Sequence, residues 1–433
     1  MEHQFVIRGG RMLEGEIEVR GSKNSAPKLM IASLLTEEPC TFENIPFSQE
    51  IDITKELCEI IGSAVLITPD HRSTMETRDI KTSRVSAFTR KNRIPILALG
   101  PLLHRNGIAE IPVLGGCPIG HRPINFHIEA LNRMGVRIER REQSYYAETD
   151  GIHGADIEFA TPSVGATENV LLAAVRAKGK TIISNAAVEP EIMNLVDMLQ
   201  RMGSDIHCDL ENRKIIIEGV EKLHGTSIRV MPDRSEIVSF ATAALATEGD
   251  IFIRNIEVNY MQSFLELVRA AGGNFELSGD GIRFYGKKPY RAVVVETAPH
   301  PGFMTDWQQP FCVLLTQAEG ESIIHETVYE DRLGYTKDLG RMGATIEVSD
   351  ECLGGSQCRF HGQTFNHSAR IAGLTPLKAA KIAVADIRAG MANIIAALIA
   401  DGESALANIG HIDRGYEKID ERLRHLGAEI ERS

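Results

Sequence analysis

At 433 residues, 43% hydrophobic and 24% charged, the chain is of ordinary globular composition and too long for one core, so two or three domains are expected. Forty-seven Lys and Arg against 59 Asp and Glu leave a formal charge of −12, which argues against a nucleic-acid partner and obliges any anionic substrate to find a locally positive pocket. Seven cysteines, scattered and odd in number, argue against a disulfide framework and for a reducing compartment.

The chain opens without a signal-peptide pattern, and no apolar run is long enough to span a bilayer. A cytoplasmic protein with no membrane partner is expected. Gly15 with Gly21-Ser22-Lys23 is not a phosphate-binding P-loop, because the glycine spacing is one too long and Ser22 separates glycine from lysine. ATP is not implied.

Two helix patterns then alternate along the chain. The first is amphipathic and ends in glycine before a strand. It begins at Leu57-Cys58-Glu59-Ile60-Ile61-Gly62 and Leu131-Asn132-Arg133-Met134-Gly135. It recurs with its glycine at Gly203, Gly272, Gly343 and Gly427. The second is apolar nearly all round: Ile31 to Leu35, Ile96 to Leu103, Leu171 to Val175, Ala241 to Ala246, Phe311 to Leu315 and Ile394 to Ile399. A helix with one charged face lies at the surface, and one apolar all round is buried. Six copies of the pair predict two domains of three units, with strands covering a helical interior: an inside-out α/β arrangement.

Between the second pair of helices lies Val113-Leu114-Gly115-Gly116-Cys117-Pro118-Ile119-Gly120-His121-Arg122-Pro123. A thiol among glycines, stiffened by prolines and followed by a guanidinium, suits a lid that carries a reactive group to an anion. The other six cysteines read as small core residues. Cys352, Cys358 and His361 lie close together, but their spacing is not that of a zinc knuckle, so no metal site is expected, and no cofactor.

Further along, Phe303-Met304-Thr305-Asp306-Trp307-Gln308 places a carboxylate at the expected start of a buried helix. Asp306 reads either as a general base or as a helix N-cap, and the two roles are compatible.

Several motifs together resemble the enolpyruvyl transferases. They are Gly9-Gly10, Gly15-Glu16, Gly21-Ser22-Lys23-Asn24, Glu43-Asn44-Ile45-Pro46, Arg93 before Ala98-Leu99-Gly100-Pro101, and Ser163-Val164-Gly165-Ala166-Thr167. Glu189-Pro190-Glu191, Pro232-Asp233-Arg234, Thr305-Asp306, Arg332, Asp386-Ile387-Arg388 and His411-Ile412-Asp413-Arg414-Gly415-Tyr416 continue the match in order to the end. The Gly-Gly-Cys117 lid narrows it to the branch acting on UDP-N-acetylglucosamine.

The resemblance implies transfer of the enolpyruvyl group of phosphoenolpyruvate to the 3-hydroxyl of UDP-N-acetylglucosamine with release of phosphate, the first committed step of peptidoglycan synthesis. It implies a barrel-like inside-out α/β fold, each domain built of three βαβαββ repeats, with the active site in the inter-domain cleft. One domain would comprise residues 1–22 and 232–433, and the inserted one residues 23–231. By the same resemblance Lys23, Arg122 and Arg414 contact phosphoenolpyruvate, while Arg93, Arg332 and Arg388 surround the phosphates. Cys117 is the general acid or a covalent nucleophile, and Asp306 accepts the hydroxyl proton.

Asn24 is assigned to the sugar hydroxyl, and Ser163-Val164-Gly165 to the diphosphate through backbone donors at a helix start. Pro123, Ile124, Asn125, His127 and Val328 complete the substrate contacts. Asn125 stands where the family pattern has aspartate, and Thr161 where some relatives carry lysine, so the nucleotide contacts differ more than the chemistry. Two other readings stay open: a paralogue acting on another nucleotide, and a catalytically silent UDP-sugar-binding regulator.

Overall fold

The computed structural model describes residues 3–85, 92–115, 124–355 and 358–433. Its internal contacts divide the chain into two compact units. One runs to Arg20 and resumes at Pro232, and the other lies between Gly21 and Met231.

In the first unit, helices Arg234–Ala246, Gln308–Leu315 and Ile387–Ile399 pack against one another. Every residue of the first two is buried, and all but Ile399 of the third. No face is left for water, which is why these segments carry no charged stripe. In the second unit the same position is taken by Ala26–Leu35, Ile94–Asn106 and Val164–Ala174.

Sheets of one recurring plan surround each helical interior. In the first unit, Glu14–Glu18 runs parallel to Asp250–Arg254, which pairs antiparallel with Gly281–Tyr285, itself antiparallel to Asn274–Ser278. The same plan joins Val294–Glu296, Glu321–His325, Ser368–Ala372 and Thr345–Ser349. It joins Lys381–Ala383, Glu403–Ala407, Phe5–Arg8 and Glu429–Arg432 as well. The second unit repeats it in the sheets built on Cys40–Glu43 and Lys180–Ser184, and with a single bridge, Arg84 to Glu110, standing for the parallel edge of the third.

The architecture is therefore mixed α/β with helices inside and strands outside. This is the expected inside-out α/β class; the strands make separate short sheets, and none closes on itself among the described residues. An edge strand paired on one side only ends each sheet, so closure is not available.

The surface helices end as their sequence requires. Gly62, Gly135, Gly203, Gly272, Gly343 and Gly427 all have positive φ, between +80° and +133°. That left-handed cap turns the chain from helix into the following strand, and a side chain there would be strained. Among the described residues no helix is long and apolar enough to cross a membrane.

Candidate active site

In the first unit the site grows from the N-terminal ends of the buried helices. Thr305–Trp307 forms a single 3₁₀ turn leading into Gln308–Leu315. The Asp306 carboxylate caps neither helix. Its Oδ2 accepts from Nε of Arg388 at 3.0 Å, and its Oδ1 accepts from Nη2 of Arg332. Both guanidiniums are nearly fully buried. Burial alone would weaken their charge, but the neighbouring carboxylates of Asp306 and Asp386 outweigh it for Arg332, so its pKa is raised. For Arg388, Tyr416, Asp306 and Asp233 do the same.

Asp386 supplies the N-cap of Ile387–Ile399, its side chain accepting from the N–H groups of Arg388 and Ala389 at 2.8 and 3.0 Å. That cap fixes the helix start from which Arg388 projects. Arg388 Nη1 also donates to Tyr416 Oη at 3.0 Å, and Tyr416 Oη lies 2.9 Å from Ser239 Oγ. Arg414, half-buried, ends the short helix Gly410–Asp413 two residues before Tyr416.

Glu326, wholly buried, accepts from Thr305 Oγ1 at 2.7 Å and from the N–H groups of Val328 and Tyr329 at 2.6 and 2.9 Å. Gln308 Nε2 donates to it too. Burial pushes its pKa up against these donors. Glu326 thereby ties the turn carrying Asp306 to the segment after strand Glu321–His325 that carries Val328.

In the second unit, the turn before helix Ala26–Ala32 holds Lys23 and Asn24, with Asn24 N–H donating to Ser22 Oγ at 3.2 Å. Lys28 Nζ bonds the Asn24 carbonyl and lies 3.6 Å from Glu168 Oε1. Burial drives the Glu168 pKa up to about 7, with Lys28 opposing and Glu191 and Glu189 adding to the rise. Next along the same helix, Asn169 Nδ2 lies 3.2 Å from His127 Nδ1. Donation from the amide leaves the imidazole proton on Nε2. Burial, and then Arg93, lower the His127 pKa to about 3, so the ring is neutral across the working range.

Gly165 abuts that ring: a Cβ there would lie 3.2 Å from His127 Cε1. Ser163 is the N-cap residue of Val164–Ala174 without a side-chain capping bond, which leaves the first-turn N–H groups to other partners. Ile124 precedes helix Asn125–Arg133, and Asn125 is exposed at its first position.

A family model described as EPSP synthase (3-phosphoshikimate 1-carboxyvinyltransferase) matches residues 7–423. The chain belongs to this family. Among its relatives, the UDP-N-acetylglucosamine 1-carboxyvinyltransferase of Protochlamydia amoebophila is 45% identical, over 98% of this chain and 93% of that one. The protein of the same name from Chlamydia abortus is 46% identical over 98% and 97%. The solved enolpyruvyl transferase NikO from Streptomyces tendae has the same fold, with a TM-score of 0.89 at 22% identity over 100% of this chain and 99% of that one. An EPSP synthase from Acinetobacter baumannii follows at 0.73 and 17%, covering all of both chains.

In this EPSP synthase family member, Asp306, Arg332, Arg388 and Val328 come together, with Arg414 close by in sequence to Tyr416. Arg93, His127 and Gly165 come together in the other unit, and Lys28 and Glu168 link the Lys23–Asn24 turn to the same helix. Cys117, Arg122 and Pro123 lie outside the described residues. Sequence reasoning missed Glu168, Asn169 and Glu326. Thr167-Glu168-Asn169 did carry a signal, being three polar residues inside an otherwise apolar helix. Glu326 carried none, since its partners come from other elements.

Proposed function

We propose that the chain transfers the enolpyruvyl group of phosphoenolpyruvate to the 3-hydroxyl of UDP-N-acetylglucosamine, releasing phosphate, in the cytoplasm. The single observation carrying this reading is near-full-length identity of 45–46% to relatives bearing that enzyme name.

The proposed chemistry is an addition followed by an elimination. A proton is delivered to the terminal methylene of phosphoenolpyruvate, positive charge develops at the neighbouring carbon, and the sugar hydroxyl attacks there while its proton passes to Asp306. The carbon–oxygen bond to phosphate then breaks, a methyl proton leaves, and the enol ether double bond forms. Cys117 is assigned the acid role, or covalent capture of the same carbon, and each proton transfer is worth about 10²–10⁴-fold. Lys23, Arg122 and Arg414 are assigned to phosphoenolpyruvate, and Arg93, Arg332 and Arg388 to phosphate groups. Asn24, Ser163, Val164, Gly165, Asn125, His127 and Val328 are assigned to the nucleotide sugar, with the neutral His127 offering an N–H donor.

The ion pairs of Asp306 support one refinement. Both carboxylate oxygens are occupied by guanidinium N–H groups. An arriving phosphate competes for those guanidiniums and frees a carboxylate oxygen to accept the hydroxyl proton. Substrate binding and base activation are then one event.

The test is phosphate release on mixing phosphoenolpyruvate with UDP-N-acetylglucosamine, shikimate 3-phosphate or simple uridine nucleotides. Release with the UDP-sugar alone is expected. Release with another acceptor would establish a paralogue, and binding of the UDP-sugar without release a silent regulator.

A further inference from the structure

Four metal-ligating side chains, none of them assigned to the substrates, meet in the first unit beside Glu326. His325 ends strand Glu321–His325, and His367 immediately precedes strand Ser368–Ala372, whose Ser368 pairs with His325. Cys352 and Cys358 come from the connection that leads to His367. One ligand atom from each of the four lies within 4.8 Å of every other, and Cys352 Sγ is 3.3 Å from His367 Nε2. A tetrahedral ion held by two thiolates at about 2.3 Å and two imidazoles at about 2.0 Å spaces its donors by roughly 3.3–3.8 Å. The set stands within about an ångström of that spacing.

The surroundings prepare these atoms as ligands. His325 Nδ1 faces Glu296 Oε2 at 3.1 Å, and His367 Nδ1 faces the Phe365 carbonyl at 2.7 Å. Both contacts place the proton on Nδ1 and leave Nε2 with a free lone pair, which in His367 faces Cys352 Sγ. His325 Nε2 is fully buried and has no hydrogen-bond partner among the described residues. Phe360 N–H lies 3.3 Å from Cys358 Sγ, and His361 Nδ1 lies 3.6 Å from Cys352 Sγ. Gly354 lets the backbone pass directly over the pair, since a Cβ there would fall 1.8 Å from Glu296 Oε2.

We propose that His325, Cys352, Cys358 and His367 form a closed structural site for a zinc-class divalent cation, with Glu296 as the carboxylate that orients His325. Two thiolates and two neutral imidazoles select such an ion over magnesium or calcium. Binding releases the two thiol protons to solvent and leaves the site electrically neutral. Four protein ligands leave no open position, so the ion ties Cys352 and Cys358 to the sheet and takes no part in turnover.

The full chain, purified under reducing conditions, is stripped with a strong chelator and titrated with Zn²⁺ or Co²⁺. One equivalent is expected to bind, with a thiolate-to-cobalt charge-transfer band in the Co²⁺ form. Cys352→Ser or Cys358→Ser is expected to reduce that band and weaken binding at least tenfold, and the double variant to abolish the band. Glu296→Gln is expected to weaken it by about 10–100-fold with the band retained. His325→Ala removes a buried ligand, so its folding is checked by circular dichroism, and the half-exposed Cys352 variant decides the matter if it fails. No stoichiometric binding by the reduced chain, or binding unchanged in both cysteine variants, overturns the proposal.

Discussion

Asp306 is shared between two buried cations, its Oδ2 taking the Arg388 Nε hydrogen at 3.0 Å and its Oδ1 an Arg332 N–H. A carboxylate so placed serves stability and chemistry at once, and the two contributions separate by mutation.

Asp306→Asn keeps an acceptor and a donor of the same shape but cannot take a proton. Turnover is expected to fall by about 10²–10⁴-fold, with a lower Tm as well, because the uncharged amide keeps one acceptor and turns its N–H groups toward the other guanidinium. Asp306→Ala leaves two buried guanidiniums with less compensation, and is expected to cost about 3–5 kcal/mol in addition. Steady-state phosphate release and thermal melts measure the two effects. Wild-type turnover in Asp306→Asn removes the base assignment.

Glu168 makes stability depend on pH. Its folded pKa of about 7 lies above the ordinary 4.5, so its contribution is fully present below pH 4.5 and is lost as pH rises through about 7. A shift of that size corresponds to roughly 3 kcal/mol. Glu168→Gln is expected to remove this component, so the difference in urea midpoint between variant and wild type grows in the variant's favour from pH 5 to pH 8. A pH-independent difference would contradict the raised pKa.

Trp307 reports on the site. It is wholly buried, meets Phe303 edge-on at 5.4 Å, and has Arg234 5.4 Å from its ring centroid. It follows Asp306 directly and is the only tryptophan in the chain. If substrate opens the Asp306 ion pairs, the ring's electrostatic surroundings change, and so should its emission on titration with UDP-N-acetylglucosamine. An unchanged spectrum at saturation counts against that coupling.

Cys117 is the expected reactive thiol. Burial pushes Cys40 up to about 11 and Cys312 up to about 12, and raises Cys58 as well, so these three are poor nucleophiles. The epoxide fosfomycin, with the UDP-sugar present, is expected to add once to the wild-type chain and not at all to Cys117→Ser, by intact mass. An adduct persisting in the variant would place the reactive thiol elsewhere.

The α/β class and the division into buried and surface helices were legible along the chain, because both are written in local periodicity. Apolar faces that leave no side for water mark Arg234–Ala246 and Ile387–Ile399, and glycine at each surface-helix end marks the left-handed cap. Which strands pair in each sheet was not legible, because pairing joins distant segments such as Phe5–Arg8 and Glu429–Arg432. Candidate residues such as Asp306 and Arg388 stood out by type and motif. Their bonding did not, since 82 residues separate them and only the packing of two helix starts joins them. Glu326 escaped notice for the same reason, and Cys352 and Cys358 were weighed with His361 alone because only the fold brings His325 and His367 to them. Local sequence sets which face a residue shows, whereas charges and ligands find their partners only when the chain has folded back on itself.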